Sequence, residues 1–170
     1  KDGQDFFIDE DNNFWRAISF VDNAQSHDII NDLNHAREVG HALGTFQNLI
    51  SDLPIESLAD TLEGFHITPR YLQNYYWVLM KNGTHTSPEV KHGMKFIEDR
   101  REFAHILENA NLSLRPIHGD PKVNNVMIHT STGKAVSIVD LDTVKPGLVH
   151  YDIGDCLRSG CNPLGEDAED

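Results

Sequence analysis

Leu33, Ala36, Val39, Leu43, Phe46 and Ile50 recur at spacings of three and four, and this apolar stripe predicts an amphipathic helix within residues 28–50. Two more helices begin where a polar residue precedes proline, at Thr68-Pro69 and Ser87-Pro88, because proline suits the first helical turn. The first should stop at Gly83, and its run YLQNYYWVLM reads as an aromatic, largely buried packing face rather than a ligand platform. The second carries Val90, Met94, Ile97, Ala104 and Leu107 along one face as far as Asn109. Ahead of the helices, residues 5–8 are apolar, 9–13 are turn-rich and 14–21 alternate, which predicts a β-hairpin running into a polar connector at 22–26. Beyond Asn111 the pattern changes to a strand at 126–129, a turn at 130–133 and a Val/Ile-rich strand at 135–141. The tail 165–170 is acidic and is expected to fray.

Composition narrows this α+β outline. A chain of 170 residues, 39% apolar, suits one soluble globular domain with its own core. A net charge of −13 argues against nucleic-acid binding through a basic surface, yet leaves room for a phosphorylated ligand held by a metal and a few local cations. No apolar run approaches the roughly 20 residues that span a bilayer. Residues 1–10 lack the basic start and apolar centre of a signal peptide. Cys156 and Cys161 are too few for a disulfide framework and read as reduced thiols of a cytoplasmic protein.

The chemistry gathers in IHGDPKVNNVMI, residues 117–128, where poor strand formers are crowded between two apolar flanks. If the following turn centres near Ser131-Thr132, residues whose numbers sum to roughly 263–265 face each other across the hairpin. Asn125 and Asp140 fall at the edge of that range, an amide and a carboxylate of the hard type that Mg²⁺ takes along with water and phosphate oxygens. Asp120, five residues before Asn125, is then free to accept a proton from a hydroxyl, and Lys122 adds positive charge for a transferring phosphoryl group. D-x-K-x-x-N followed by a strand-terminal Asp is the arrangement phosphoryl transfer requires: base, phosphate cation, metal amide and metal carboxylate.

HGDPKVNNV, IVDLD and YDIGDCLR together resemble the aminoglycoside phosphotransferase and choline kinase group, and within it are most similar to N-acetylhexosamine 1-kinases. The strong motifs cover residues 117–158. The resemblance implies a protein-kinase-like fold: mostly the helical C-terminal lobe (residues 23–170) with a catalytic-loop β-hairpin, and a remnant of the N-terminal β lobe and hinge (1–22). It implies ATP as donor, a small-molecule hydroxyl as acceptor, Asp120 as base, Lys122 on the γ-phosphate, and Asn125 with Asp140 as Mg²⁺ ligands. His118 would anchor the loop and Asp152 would brace it from a helix start. Phe20, Val21 and Asp22 would meet adenine through backbone groups. Asp142 stays open between a water-mediated part in metal binding and a capping or structural one. Asp155 and Arg158 read as an i,i+3 ion pair.

A Gly-rich phosphate loop and an N-terminal strand lysine are not recognisable, Lys1 being no convincing substitute. The expectation is therefore a fragment whose isolated activity is low. Three rival readings stand beside the sugar kinase. One is a kinase for aminoglycosides, choline or homoserine-type acceptors. Another is a non-catalytic kinase-like binding module. The third is a metal-dependent hydrolase using His118, Asp120 and His129, with the other histidines scattered and solvent-facing.

Overall fold

The computed structural model describes residues 3, 5–83 and 87–165; Lys1 and the acidic tail beyond Gly165 lie outside them. Gly165 itself is buried beside Ile29 and Asp28, and the Asn162 side chain donates to its carbonyl at 2.6 Å. The N-terminal hairpin pairs β1 (Phe7–Ile8) with β2 (Phe14–Trp15), matching Phe7 with Trp15 and Ile8 with Phe14. The Asp9 carboxylate closes its turn. Bonds from the Trp15 indole N–H, then the Asn13 and Asp11 groups, hold its pKa down to about 2. The second strand ends at Trp15 rather than at residue 21: among the described residues, 16–21 find no pairing partner, and a strand without one has no ladder to hold it. The expected connector contains a strand instead, β3 (Ala24–Gln25), whose weak propensity is overridden by a waiting ladder partner.

Helix α1 (Leu33–Leu49) starts at Asp32, whose side chain accepts the His35 N–H at 2.8 Å. Val39, Leu43 and Phe46 are buried as the stripe predicts, but Leu33 is 85% exposed and Ala36 faces solvent. The buried face is rotated toward polar residues, His35, Glu38 and Gln47, each held by a specific partner. Glu38 takes the Lys134 ammonium at 2.7 Å and the Ala135 N–H at 3.1 Å, which hold its carboxyl below the ordinary range. His35 Nδ1 accepts the Asn31 N–H at 3.1 Å.

Helix α2 (Thr68–Asn82) starts and stops as predicted, with proline in its first turn and Gly83 at φ +72° after its end. Its aromatic run is not a buried face, however: no α2 side chain is buried, and Tyr71 and Trp77 are about half exposed. α3 (Pro88–Glu98) is capped by Ser87 and ends eleven residues early. There Arg100 lies over the Phe96 ring at 3.7 Å and donates to the Phe96 carbonyl, so a side chain satisfies a helix-end acceptor and a 3₁₀ turn (Arg101–His105) leads into α4 (Ile106–Asn109).

Strand β4 (Arg115–Ile117) enters the polar loop 118–125. β5 (Val126–His129) and β6 (Ala135–Ile138) leave it as a hairpin, and β7 (Lys145–Gly147) returns antiparallel to β4, matching Ile117 with Lys145. Sheet order β3-β5-β6 puts the hairpin beside the segment that follows residue 22. Lys145 is buried, and its ammonium bonds Asp60 and the Leu62 carbonyl at 3.0 Å each, fixing the loop between α1 and α2. Finally α5 (Val149–Gly160) packs behind the loop. Val39, Val123, Val126 and Ile128 form the core, closed by Ile30, Ala42, Ala135, Ile138 and Cys156. That core joins α1, the hairpin and α5, so the polar loop 118–125 lies along its edge on a rigid base.

Candidate active site

Two helices grip the loop through its main chain. Asp152, fully buried on α5, accepts the His118 and Gly119 N–H groups at 2.9 Å each and the Gln47 amide from α1. Burial pushes the Asp152 pKa up, against the downward pull of those donors. Seven residues on, two helical turns along the same face, the Ser159 hydroxyl accepts the Val123 N–H at 3.0 Å. Thr143 donates to the His118 carbonyl at 2.8 Å. Only glycine suits position 119: φ is +88°, and a Cβ there would lie 2.5 Å from the Thr143 carbonyl oxygen.

His118 is a loop anchor, as expected. Its Nε2 meets the Val139 carbonyl at 2.9 Å and its Nδ1 accepts the Asp120 N–H at 3.3 Å. A carbonyl only accepts and an N–H only donates, so the ring carries its proton on Nε2. Phe46 packs against it edge-on, with ring centroids 5.2 Å apart.

The four loop residues meet. Asn125 is buried, and its amide donates to the Asp120 carbonyl at 2.7 Å and lies 3.4 Å from its carboxylate. The NH₂ group is fixed toward Asp120 and leaves Oδ1 for a different partner. Lys122 approaches the same Asp120 carboxylate at 3.3 Å. The hairpin register refines the expected pairing. Val126 faces Ile138 and the Val139 N–H bonds the Asn125 carbonyl, so Val139 stands opposite Asn125 and Asp140 is the next residue. Asp140 leaves the strand in the left-handed region at φ +64°, with its side chain exposed. β6 therefore ends at Ile138 rather than residue 141, and the turn presents the carboxylate beyond the sheet edge. An amide oxygen and a carboxylate fit a hard divalent cation that completes its shell with water and phosphate. Asp142 is occupied differently: it ion-pairs with Arg16 at 2.7 Å, both side chains being more than half exposed.

His129 is not turned toward the loop; its Nδ1 accepts N–H groups of Ser131 and Thr132 and caps the hairpin turn. Among the described residues no three His, Cys, Asp or Glu side chains gather as a metal cluster, which removes the geometric basis for the hydrolase reading. Phe20 and Asp22 are exposed and Val21 is half-buried, immediately ahead of β3. The Asp155–Arg158 pair forms as expected, at 2.8 Å.

On its other side Asp120 lines a cavity of about 460 Å³, together with Phe65, His66, Tyr71, Tyr151 and Arg158. Tyr151 is fixed by a 2.7 Å bond to Glu108, which together with burial pushes its hydroxyl pKa well up. Gln47, Ser159 and His66 escaped the sequence reading. Ser159 had a signal in its two-turn spacing from Asp152, and Gln47 in its place beside Phe46 on the stripe. His66, in an irregular loop, had none.

The sequence profile of the phosphotransferase enzyme family matches residues 5–170. No described helix is long and apolar enough to cross a membrane.

Proposed function

The chain belongs to the phosphotransferase enzyme family, and from that premise we propose that it transfers the γ-phosphoryl group of ATP to the anomeric hydroxyl of an N-acetylhexosamine. Transfer of phosphate to a hydroxyl acceptor follows from the family; the sugar and the residue roles are the proposal. The observation that carries it is the two-sided position of Asp120, with Lys122 and Asn125 on one flank and the cavity on the other.

In this reading Asp120 accepts the proton of the acceptor hydroxyl, and Lys122 offsets charge on the phosphoryl oxygens. Asn125 Oδ1 and the Asp140 carboxylate would hold Mg²⁺, which when bound neutralises the phosphates and orients them. Residues 1–22 belong to the edge of the nucleotide-side lobe and its hinge, with Phe20, Val21 and Asp22 toward adenine, and 23–170 form the catalytic lobe. The free thiols Cys156 and Cys161 suit a cytoplasmic setting.

The cavity's size suits a single sugar. Its rings offer apolar faces to the C–H face of a pyranose. Such a wall alone would also suit a quaternary ammonium. Asp155 and Arg158 in the same lining are paired with each other, so beyond the Asp120 carboxylate they offer no net charge as a trap for a cation. A neutral polyol therefore fits better than an aminoglycoside or choline.

Two measurements test this. Asp140→Ala should weaken Mg²⁺-dependent nucleotide binding at least about tenfold, roughly 1.4 kcal/mol, with the fold intact by circular dichroism; unchanged affinity would refute the ligand assignment. An acceptor panel on the full-length protein should rank N-acetylglucosamine or N-acetylgalactosamine above kanamycin, choline and homoserine in kcat/KM. A cationic acceptor winning by a wide margin would overturn the sugar while leaving the kinase.

A further inference from the structure

Gly119, the residue before Asp120, is pinned on both sides of its own unit. Asp152 takes its N–H at 2.9 Å, and the His66 ring meets its carbonyl at 2.6 Å through Nε2, which must therefore donate. His66 comes from the loop between α1 and α2, 53 positions away, and its own geometry is unusual. It is a non-glycine residue at φ +66°, a strained conformation that persists only where surroundings enforce it. The enforcing contacts are present: the Tyr71 hydroxyl accepts the His66 N–H at 2.8 Å, and the ring stacks on Tyr151 with centroids 5.9 Å apart. Lys145, through Asp60 and the Leu62 carbonyl, anchors the loop just before it. His66 thus spans from the wall of the cavity to the main chain that carries Asp120.

We propose that His66 is a positioning residue for phosphoryl transfer: its Nε2–H fixes the Gly119–Asp120 peptide, and so aims the Asp120 carboxylate at a hydroxyl held in the cavity. The inference rests on Asp120 being the base. Misplacing a reacting group by about 1 Å lowers rates by up to roughly 10²-fold, mainly in the chemical step rather than in binding.

Three variants of the full-length protein separate the bond from the ring. His66→Phe keeps the stack on Tyr151 but removes the donor; kcat should fall roughly tenfold to a hundredfold, with KM for ATP unchanged and KM for the acceptor changed less than threefold or so. His66→Gln restores an N–H donor and should recover at least about half of the lost log kcat. His66→Ala removes both bond and wall, so acceptor KM should rise as well. Thermal midpoints of all three, taken in parallel, identify any variant that fails to fold. Wild-type kcat in the Phe variant, or a Gln variant no better than Phe at equal thermal midpoint, would overturn the proposal. If Asp120→Asn keeps full turnover, the reading of the base itself has failed instead, whatever His66 does.

Discussion

Asp120→Asn lowers turnover roughly 10²–10⁴-fold while nucleotide binding stays within about twofold. The asymmetry comes from what the substitution preserves. Asn125 bonds the main-chain carbonyl of residue 120, at 2.7 Å, and that contact survives. The amide keeps the carboxylate's shape and one acceptor oxygen for Lys122, now 3.3 Å from Oδ2. Lost is the ability to take up a proton, which its two loop neighbours do not replace: the Lys122 ammonium only donates, and the two His118 nitrogens are committed to Val139 and to the loop's own N–H. Steady-state kinetics against nucleotide titration by calorimetry is the check. Near-normal turnover would reduce Asp120 to a brace.

Asp152→Ala should lower stability by about 3–5 kcal/mol and abolish activity with it. It orphans three buried donors, the His118 and Gly119 N–H groups and the Gln47 amide, at about 1–3 kcal/mol each. Removing a buried carboxylate refunds some desolvation, consistent with the upward push on its pKa, and water entering the gap satisfies part of the remainder. The donors outweigh both. In a chain of this size each kcal/mol moves the midpoint by roughly 2–4 °C, so the midpoint of a thermal scan should drop by about 6–20 °C. Asp152→Asn, which keeps the shape and one acceptor, should lose less than half as much. A midpoint within about 2 °C of wild type for the Ala variant would show that the loop is held by other means.

The sequence made the chemistry more legible than the packing. Asp120, Lys122 and Asn125 stand at fixed offsets in one loop, so their clustering needed no long-range information, whereas Asp152, 34 positions beyond His118, came into view only through the family resemblance. The hairpin sum came within one residue, and the miss at Asp140 arose because a left-handed turn ends the strand early. Pattern reading failed where tertiary partners overrode local preference. Ala24-Gln25 looks like a connector and is a strand because β5 offers it a ladder. Leu33 belongs to the apolar stripe but lies exposed, because Glu38 and Gln47 turn the helix toward Lys134 and Asp152. His66 depends wholly on a contact 53 positions away and left no trace in its neighbours.

One carboxylate also ties together segments that lie far apart along the chain. Asp152 joins itself to Gly119 and His118 across 33 and 34 positions, and to Gln47 across 105. Closing loops of such length costs chain entropy before any bond repays it, and contacts of large separation slow folding. α1 is held by local bonds, whereas the main-chain bonds of the loop 118–125 to Asp152 need α5 in place and the Gln47 bond needs α1 as well.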